Sequence, residues 1–156
     1  MIILVINCGS SSIKYQLLDM KNDDVYDVLA KGLVEKIGLE TGCLQHTATG
    51  KDKYVIDLPI PDHKVGMKLV LDALTDADHG VLKSLDDIEA VGHRIVHGGE
   101  YFSSSALVNE DVMKKIEICC DFAPLHNPAP LLGIRAVQAV LPSVPQEVTF
   151  DTAFHQ

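Results

Sequence analysis

The chain has 156 residues, and its 13 basic and 22 acidic side chains give a formal net charge of −9. Apolar residues make up 47% and charged residues 22%, a composition typical of a globular domain and too apolar for a disordered segment. The acidic balance argues against nucleic-acid binding, and no apolar run is long enough to span a membrane. A small anionic ligand stays compatible, because a few local cations outweigh a distant net charge. The four cysteines lack metal-ligand spacing and predict reduced thiols in a cytoplasmic protein.

The first part of the chain predicts a series of short strands. Residues 2–6 form an apolar, β-branched run that is typical of a central strand buried on both faces. Residues 13–17 alternate between apolar and polar, so the two segments are expected to form a β-hairpin around a Gly/Ser loop. Further extended segments are predicted within 25–36, 42–49 and 53–59.

The rest of the chain predicts helices that alternate with strands. Asp62 is a candidate cap for a helix whose apolar face comprises Val65, Leu69, Val70 and Ala73. Two further helices are predicted at 109–120 and 128–141, and two further strands at 88–96 and 147–150. Strands come first and then alternate with helices, which predicts an α/β domain with a mixed sheet.

The loop between the first two predicted strands is the strongest local indication of a ligand site. Gly9 permits close approach of the backbone, and three serines add hydroxyl groups to a row of backbone N–H donors. Such a loop can wrap a phosphate, although it does not have Walker-type spacing and a strand follows it. A serine-rich hairpin turn without a ligand explains the same residues. The polar side chains concerned are Asn7, Ser10, Ser11, Ser12 and Lys14.

A second group of polar residues lies at the end of the strand predicted at 88–96. Arg94 stands among apolar neighbours, so we expect it to face a partner or an anion. His93 and His97 lie close by in sequence, and two glycines after His97 allow the backbone to approach a ligand. The alternatives are a structural ion pair for Arg94 and a hydrogen-bonded structural role for His97.

Two further polar residues could carry chemistry. His126 lies in a loop stiffened by two prolines, which suits a phosphate contact, unless Asn127 merely caps the next helix and His126 is exposed. Asp151 follows the last predicted strand and could be a base, a metal ligand, a residue that orients Arg94 or a helix cap. The remaining histidines are predicted to lie at the surface: His46, His63, His79 and His155.

Five motifs in order resemble those of the acetate kinase family, within the superfamily of sugar kinases, heat-shock chaperones and actin. They are VINCGSSSIKY at 5–15, AKGLVEKIG at 30–38, VGHRIVHGGE at 91–100, APLHNPAPL at 123–131 and FDTAFHQ at 150–156. The resemblance covers essentially the whole chain. It implies a ribonuclease H-like (actin-like ATPase) domain with a mixed β-sheet flanked by helices. It also implies that residues 1–156 are the N-terminal domain of a longer kinase whose second domain is absent.

The resemblance implies a phosphotransferase that reversibly moves the γ-phosphoryl of ATP to acetate, giving acetyl phosphate and ADP, with Mg²⁺ or alternatively Mn²⁺. Asn7 would help to hold the metal. Arg94 would bind the acetate carboxylate and the transferring phosphoryl, His126 would donate to that phosphoryl, and Asp151 would orient Arg94 or act as an acid/base. The remaining expected contacts are Ser10, Ser12 and Lys14 with the nucleotide phosphates, and Val96 and Leu125 with the acetate methyl group.

The same resemblance implies a cytoplasmic homodimer for the full-length protein, and an inactive half-site for this chain alone. Two alternatives stay open. One is a propionate or butyrate kinase of the same fold, because one or two methylenes change binding by only about 1–3 kcal/mol. The other is a non-catalytic phosphate-binding module.

Overall fold

The computed structural model describes residues 1–22, 25–95, 106–107 and 129–150. The first half consists of five strands in succession, as predicted: β1 (Ile2–Gly9), β2 (Ser12–Met20), β3 (Tyr26–Glu35), β4 (Gly42–Ala48) and β5 (Tyr54–Leu58). The second half contains α1 (His63–Thr75), a 3₁₀ turn (Leu85–Asp87), β6 (Ala90–Ile95), β7 (Ala106–Leu107), α2 (Ala129–Val140) and β8 (Gln146–Phe150). The short strand β7 and the 3₁₀ turn are the described elements that the sequence did not predict.

The strands form one mixed sheet in the order β5-β4-β3-β2-β1-β6-β8-β7. Strands β1 to β5 pair antiparallel with their sequence neighbours, which confirms the predicted hairpin of β1 and β2. Strand β1 also pairs in parallel with β6, and β6 pairs in parallel with β8. The expected α/β domain with a mixed sheet is confirmed, and β1 is an interior strand as predicted. The expectation that β1 is buried on both faces is wrong, because Ile3 and Val5 are half-buried and Asn7 is exposed on its second face.

Both described helices pack on the same face of the sheet, which we call the core face. Helix α1 is capped as predicted, since the Asp62 carboxylate accepts a hydrogen bond from the Val65 amide at 2.9 Å. Its buried face is shifted from the predicted one, because Val65 and Leu69 are only half-buried. The fully buried apolar side chains of the helix are Met67, Val70, Leu71, Ala73 and Leu74. No helix in the described part of the chain is long and apolar enough to cross a membrane.

A hydrogen-bonded pair, Tyr15 and His46, is buried in the core beside Gly32. The Tyr15 hydroxyl lies 2.6 Å from His46 Nδ1, and His46 Nε2 donates to the His79 carbonyl at 3.1 Å. A carbonyl only accepts, so Nε2 carries the proton and Nδ1 accepts from Tyr15. Burial holds the pKa of His46 below its ordinary value. The predicted surface position of His46 is therefore wrong, because partners supplied by the fold compensate for its burial.

Several predictions concern parts of the chain outside the described residues. These are the helix beginning at Asn109, the two cysteines Cys119 and Cys120, and His97 and His155. Four candidate site residues also lie there: Val96, Leu125, His126 and Asp151. The site below is therefore built from the others.

Gly32 leaves the space that the Tyr15 ring occupies, and this generates a stability prediction. A Cβ on Gly32 would overlap the Tyr15 hydroxyl and lie 2.5 Å from the Gln45 carbonyl oxygen. Gly32→Ala should therefore lower the free energy of unfolding by about 1–3 kcal/mol, the usual cost of overpacking. Urea denaturation of the 156-residue chain measures it.

Gly92→Ala is the matched control, because Gly92 also lies inside a strand but a Cβ there meets no atom of the described residues within 4 Å. It should leave stability unchanged or raise it slightly, since alanine restricts the unfolded chain. Equal losses from the two substitutions would contradict the packing argument.

Candidate functional site

The turn between β1 and β2 is a tight two-residue connection. Gly9 pairs with Ser12, which leaves Ser10 and Ser11 as the turn residues. None of these four adopts a positive φ. A Cβ at Gly9 would lie 2.7 Å from Ser12 Oγ, so a larger residue here requires the Ser12 side chain to rotate. The close approach of the backbone to a ligand at Gly9 stays a prediction.

The carbonyl groups of this turn are held by the protein, whereas its amides are available. His63 Nε2 donates to the Gly9 carbonyl at 2.8 Å, and the Ile37 amide donates to the Ser11 carbonyl at 2.9 Å. The amides of Ser10 and Ser11 find no acceptor among residues 1–22, 25–95, 106–107 and 129–150. Successive free N–H donors beside hydroxyl groups form a concavity that favours an anion.

Strand pairing brings three of the candidate side chains into one row. Lys14 on β2 lies directly opposite Asn7 on β1. Ile6 pairs with His93 in the parallel ladder, so the next residue, Arg94 on β6, lies beside Asn7. Neighbouring strands are about 4.8 Å apart, so the row spans about 10 Å between the backbones of Lys14 and Arg94.

The row faces away from the core. Lys14, Asn7 and Arg94 are all exposed, whereas the alternating positions Ile6 and Ile13 are buried on the core face. Because side chains alternate between the two faces along a strand, Ser12 lies on the same face as Lys14. We call this second face of the sheet the open face. The side chains of Lys14 and Asn7 make no hydrogen bond or ion pair within the described part of the chain. The open face therefore carries an ammonium, an amide and a guanidinium next to the turn.

The position of the row agrees with where open α/β sheets place their ligands. Asn7 and Arg94 lie near the carboxyl ends of parallel strands, the edge where such sheets carry their chemistry. The structure thus brings together five predicted site residues, namely Asn7, Ser10, Ser12, Lys14 and Arg94.

The chemistry of Asn7 fits a magnesium ion held together with a nucleotide. Its side-chain oxygen is a hard ligand, and Mg²⁺ usually takes only one or two protein oxygens beside phosphates and water. The described residues contain no group of three or more His, Cys, Asp or Glu side chains that could hold a metal by themselves. Asn7 would therefore bind Mg²⁺ only in combination with phosphate oxygens or other ligands.

His93 is not part of the cationic cluster that the sequence suggested. Its side chain is 3% exposed on the core face, where Nε2 donates to Gln146 Oε1 at 2.5 Å. The Gln146 amide in turn donates to the Ile134 carbonyl at 3.4 Å. Burial lowers the pKa of His93 to about 4, so the ring is neutral near pH 7. His93 anchors α2 and β8 to β6, while the adjacent Arg94 faces the opposite side.

His63 is the residue next to the candidate site that sequence reasoning missed. It was predicted to lie at the surface, but it is 6% exposed and lies beneath the turn. Its partner Gly9 is 54 positions away in sequence, so no local pattern indicates the contact. The only local indication in the sequence is that His63 directly follows the predicted cap Asp62, which fixes His63 as the first residue of α1.

Cys8 lies on the core side of β1, next to the turn. A Cβ on Gly133 of α2 would be 2.5 Å from Cys8 Sγ, so the helix packs directly on the thiol. Burial raises the pKa of Cys8 to about 12. The thiol therefore stays protonated near neutral pH, and the expectation of a reduced, semi-buried cysteine is confirmed for Cys8 and Cys43.

Comparison with known proteins places this geometry in a family. A model of the acetokinase family matches residues 2–156. The chain belongs to the acetokinase family. It is 59% identical over 154 residues to acetate kinase 2 of Clostridium perfringens, covering 99% of this chain and 38% of that protein. It is 57% identical over 153 residues to an acetate kinase of Clostridium acetobutylicum, covering 98% of this chain and 37% of that protein.

Solved structures of acetokinase relatives agree with the fold. The acetate kinase of Porphyromonas gingivalis superposes with a TM-score of 0.89 at 46% identity, covering 98% of this chain and 38% of that one. A propionate kinase of Francisella tularensis superposes with a TM-score of 0.81 at 42% identity, covering 99% of this chain and 38% of that one. The predicted ribonuclease H-like, actin-like ATPase fold is thereby confirmed. The chain spans about 38% of the length of these relatives.

The neutral, buried His93 predicts how the stability of this acetokinase chain depends on pH. The pKa of His93 falls from 6.5 to about 4 on folding, so between these values the unfolded chain binds more protons than the folded one. The stabilisation is complete above pH 6.5 and is lost as the pH falls towards 4. Lowering the pH from 7 to 5 should cost about 2 kcal/mol through this group, at 1.36 kcal/mol per pKa unit.

His93→Gln should remove that part of the pH dependence. We expect its free energy of unfolding to be lower at pH 7 but to fall about 2 kcal/mol less than wild type between pH 7 and pH 5. Urea titrations of the wild-type and His93→Gln chains at pH 7 and pH 5 give the four free energies of unfolding that the comparison requires. Identical losses in wild type and variant would show that His93 titrates at its ordinary pKa.

Proposed function

We propose that the chain is the N-terminal domain of an ATP-dependent acetate kinase. The full-length enzyme would reversibly transfer the γ-phosphoryl of ATP to acetate, giving acetyl phosphate and ADP, with Mg²⁺ or alternatively Mn²⁺. The observation that carries the proposal is the row of Lys14, Asn7 and Arg94 beside a turn whose Ser10 and Ser11 amides have no acceptor in the described part of the chain, in a member of the acetokinase family. Phosphoryl transfer requires this kind of positioning and positive charge.

The turn and Lys14 would bind the nucleotide phosphates. The amide of Ser10 and the hydroxyls of Ser10 and Ser12 can donate hydrogen bonds to phosphate oxygens. Lys14 adds a compact positive charge on the same open face. Asn7, between Lys14 and Arg94, would hold Mg²⁺ through its amide oxygen, and the ion would neutralise charge on the β- and γ-phosphates.

Arg94 would bind acetate and the transferring phosphoryl group. A guanidinium presents a planar fork of donors that matches the oxygens of a carboxylate or phosphoryl group. Its place beside Asn7 puts that fork next to the proposed metal position. The acceptor carboxylate and the phosphoryl would thereby be held close to each other, which is the main requirement of this reaction.

The other candidate residues complete the proposal from outside the described ranges. His126 would donate to the phosphoryl group, while Val96 and Leu125 would enclose the methyl group of acetate. Asp151 would orient Arg94 or act as an acid/base. The orienting role is favoured because acetate is already ionised near neutral pH and offers no proton to remove.

A propionate kinase is the second candidate, because a structure of that name shares 42% identity with this chain. One added methylene changes binding by only about 1–3 kcal/mol, so a small difference in the methyl pocket decides between the two acids. Relative kcat/KM of the full-length parent for acetate, propionate and butyrate tests this choice. We further propose that the parent is a cytoplasmic homodimer.

The chain alone should be catalytically incompetent. It spans 38% of the length of its relatives, so an adenosine pocket and further charge-stabilising groups would come from the second domain. We expect no acetate-dependent ADP formation above background from the 156-residue chain, measured beside the full-length parent at equal concentration. Comparable turnover in the two would overturn the assignment of this chain as half of an active site.

Arg94→Ala in the full-length parent should lower kcat by about 10³-fold, as for other arginines that stabilise phosphoryl transfer. Arg94→Lys should recover little of that loss, because lysine cannot make the forked contact. Arg135→Ala is the matched control, since Arg135 is an exposed arginine on α2, the helix on the core face. Steady-state kinetics and thermal melts are measured on all three. Near-normal kinetics with early melting of Arg94→Ala would identify a structural ion pair instead.

A further inference from the structure

We propose that His63 is a positioning residue that orients the phosphate-binding turn through the Gly9 carbonyl; this inference rests on the proposed function. The imidazole is 6% exposed, and its Nε2 lies 2.8 Å from the Gly9 carbonyl oxygen. A carbonyl only accepts, so Nε2 carries the proton and donates. His63 does not lie on the open face and would touch no substrate.

The contact controls a group that does face the ligand. The carbonyl of Gly9 and the amide of Ser10 belong to the same planar, trans peptide unit, so they point in opposite directions. By holding the carbonyl towards α1, His63 directs the Ser10 N–H away from the core. That N–H has no acceptor among the described residues. The histidine therefore presents a pre-oriented donor to a phosphate oxygen.

Two features hold the imidazole itself in place. His63 is the first residue of α1, and the Asp62 cap fixes the backbone there by accepting from the Val65 amide at 2.9 Å. One turn later, a Cβ on Gly66 would lie 3.1 Å from the Ile13 side chain, so the helix packs against β2 just after the turn. Helix α1 thus contacts the hairpin both at the turn and at the strand that follows.

A second hydrogen bond holds the other end of the turn, but it comes from the backbone. The Ile37 amide donates to the Ser11 carbonyl at 2.9 Å, and no side-chain substitution removes that donor. His63 is therefore the part of this support that mutation can test. Without it, the pairing of Gly9 with Ser12 still holds the hairpin, but the Gly9–Ser10 peptide can tilt and the Ser10 N–H is no longer fixed in its direction towards the phosphates.

Three substitutions in the full-length parent separate the hydrogen bond from packing. His63→Phe keeps a ring of similar size and removes the donor, His63→Gln keeps an N–H donor on a flexible chain, and His63→Ala removes both. We expect KM for ATP to rise about tenfold in His63→Phe and His63→Ala, the loss expected for one oriented donor. His63→Gln should recover most of it. KM for acetate should stay within twofold throughout, because Arg94 and not the turn would bind acetate.

The pattern of results decides the proposal. A shared rise in the KM values for ATP and acetate, or full recovery by His63→Phe but not by His63→Gln, would show that His63 only supports packing and would overturn it. His63→Asn, which keeps an amide but is shorter, replaces His63→Phe if that variant does not fold, and the same tenfold rise is expected.

A separate measurement distinguishes failure of this inference from failure of the proposed function. A wild-type parent without acetate-dependent ADP formation overturns the proposed function. Calorimetric binding of ADP with Mg²⁺ to the same variants then tests His63 independently of turnover. Tenfold weaker ADP binding in His63→Phe with recovery in His63→Gln supports the positioning role, whereas equal affinities, or no binding by wild type, overturn it.

Discussion

The parallel pairing of β1 with β6 is the contact on which the candidate site depends. It aligns Ile6 with His93 and so sets Asn7 beside Arg94, residues that are far apart in sequence. The buried side chains Leu4 and Val91 hold this ladder in the core. A slip of one residue would turn Arg94 into the apolar core and His93 out of it, because successive side chains alternate between faces. The cost of burying an unpaired guanidinium therefore disfavours the wrong register.

The two faces of the sheet carry different polar groups: buried histidines on the core side and cationic side chains on the open face. His46, His63 and His93 are all buried on the core side, and each donates from Nε2 to an oxygen that the fold supplies. They act as hydrogen-bonding groups that join elements distant in sequence. Positive charge is placed on the open face instead, on Lys14 and Arg94. A small anion can therefore be attracted locally although the chain as a whole carries a net charge of −9.

The turn between β1 and β2 links these two faces. On its core side the carbonyls of Gly9 and Ser11 accept hydrogen bonds from His63 and Ile37. On its other side it presents the Ser10 amide, and the planar peptide unit makes the direction of that amide a consequence of the Gly9 contact. If the turn binds phosphate as we propose, the packing of α1 becomes a condition for that binding. This is the sense in which a core histidine contributes to the proposed chemistry.

Local signals in the sequence determined the positions of the described α-helices and of the strands other than β7, the hairpin of β1 and β2, the Asp62 cap and the residues of the turn that we propose to bind phosphate. Each of these depends on neighbours a few positions apart, which a single sequence displays. The five ordered motifs also determined the family. Only the tertiary structure showed that three histidines are buried and hydrogen-bonded, because the partners of His46, His93 and His63 lie 31, 53 and 54 positions away in sequence. It also separated His93 from Arg94, since adjacent strand residues face opposite sides and only the packing of the helices shows which side is the core.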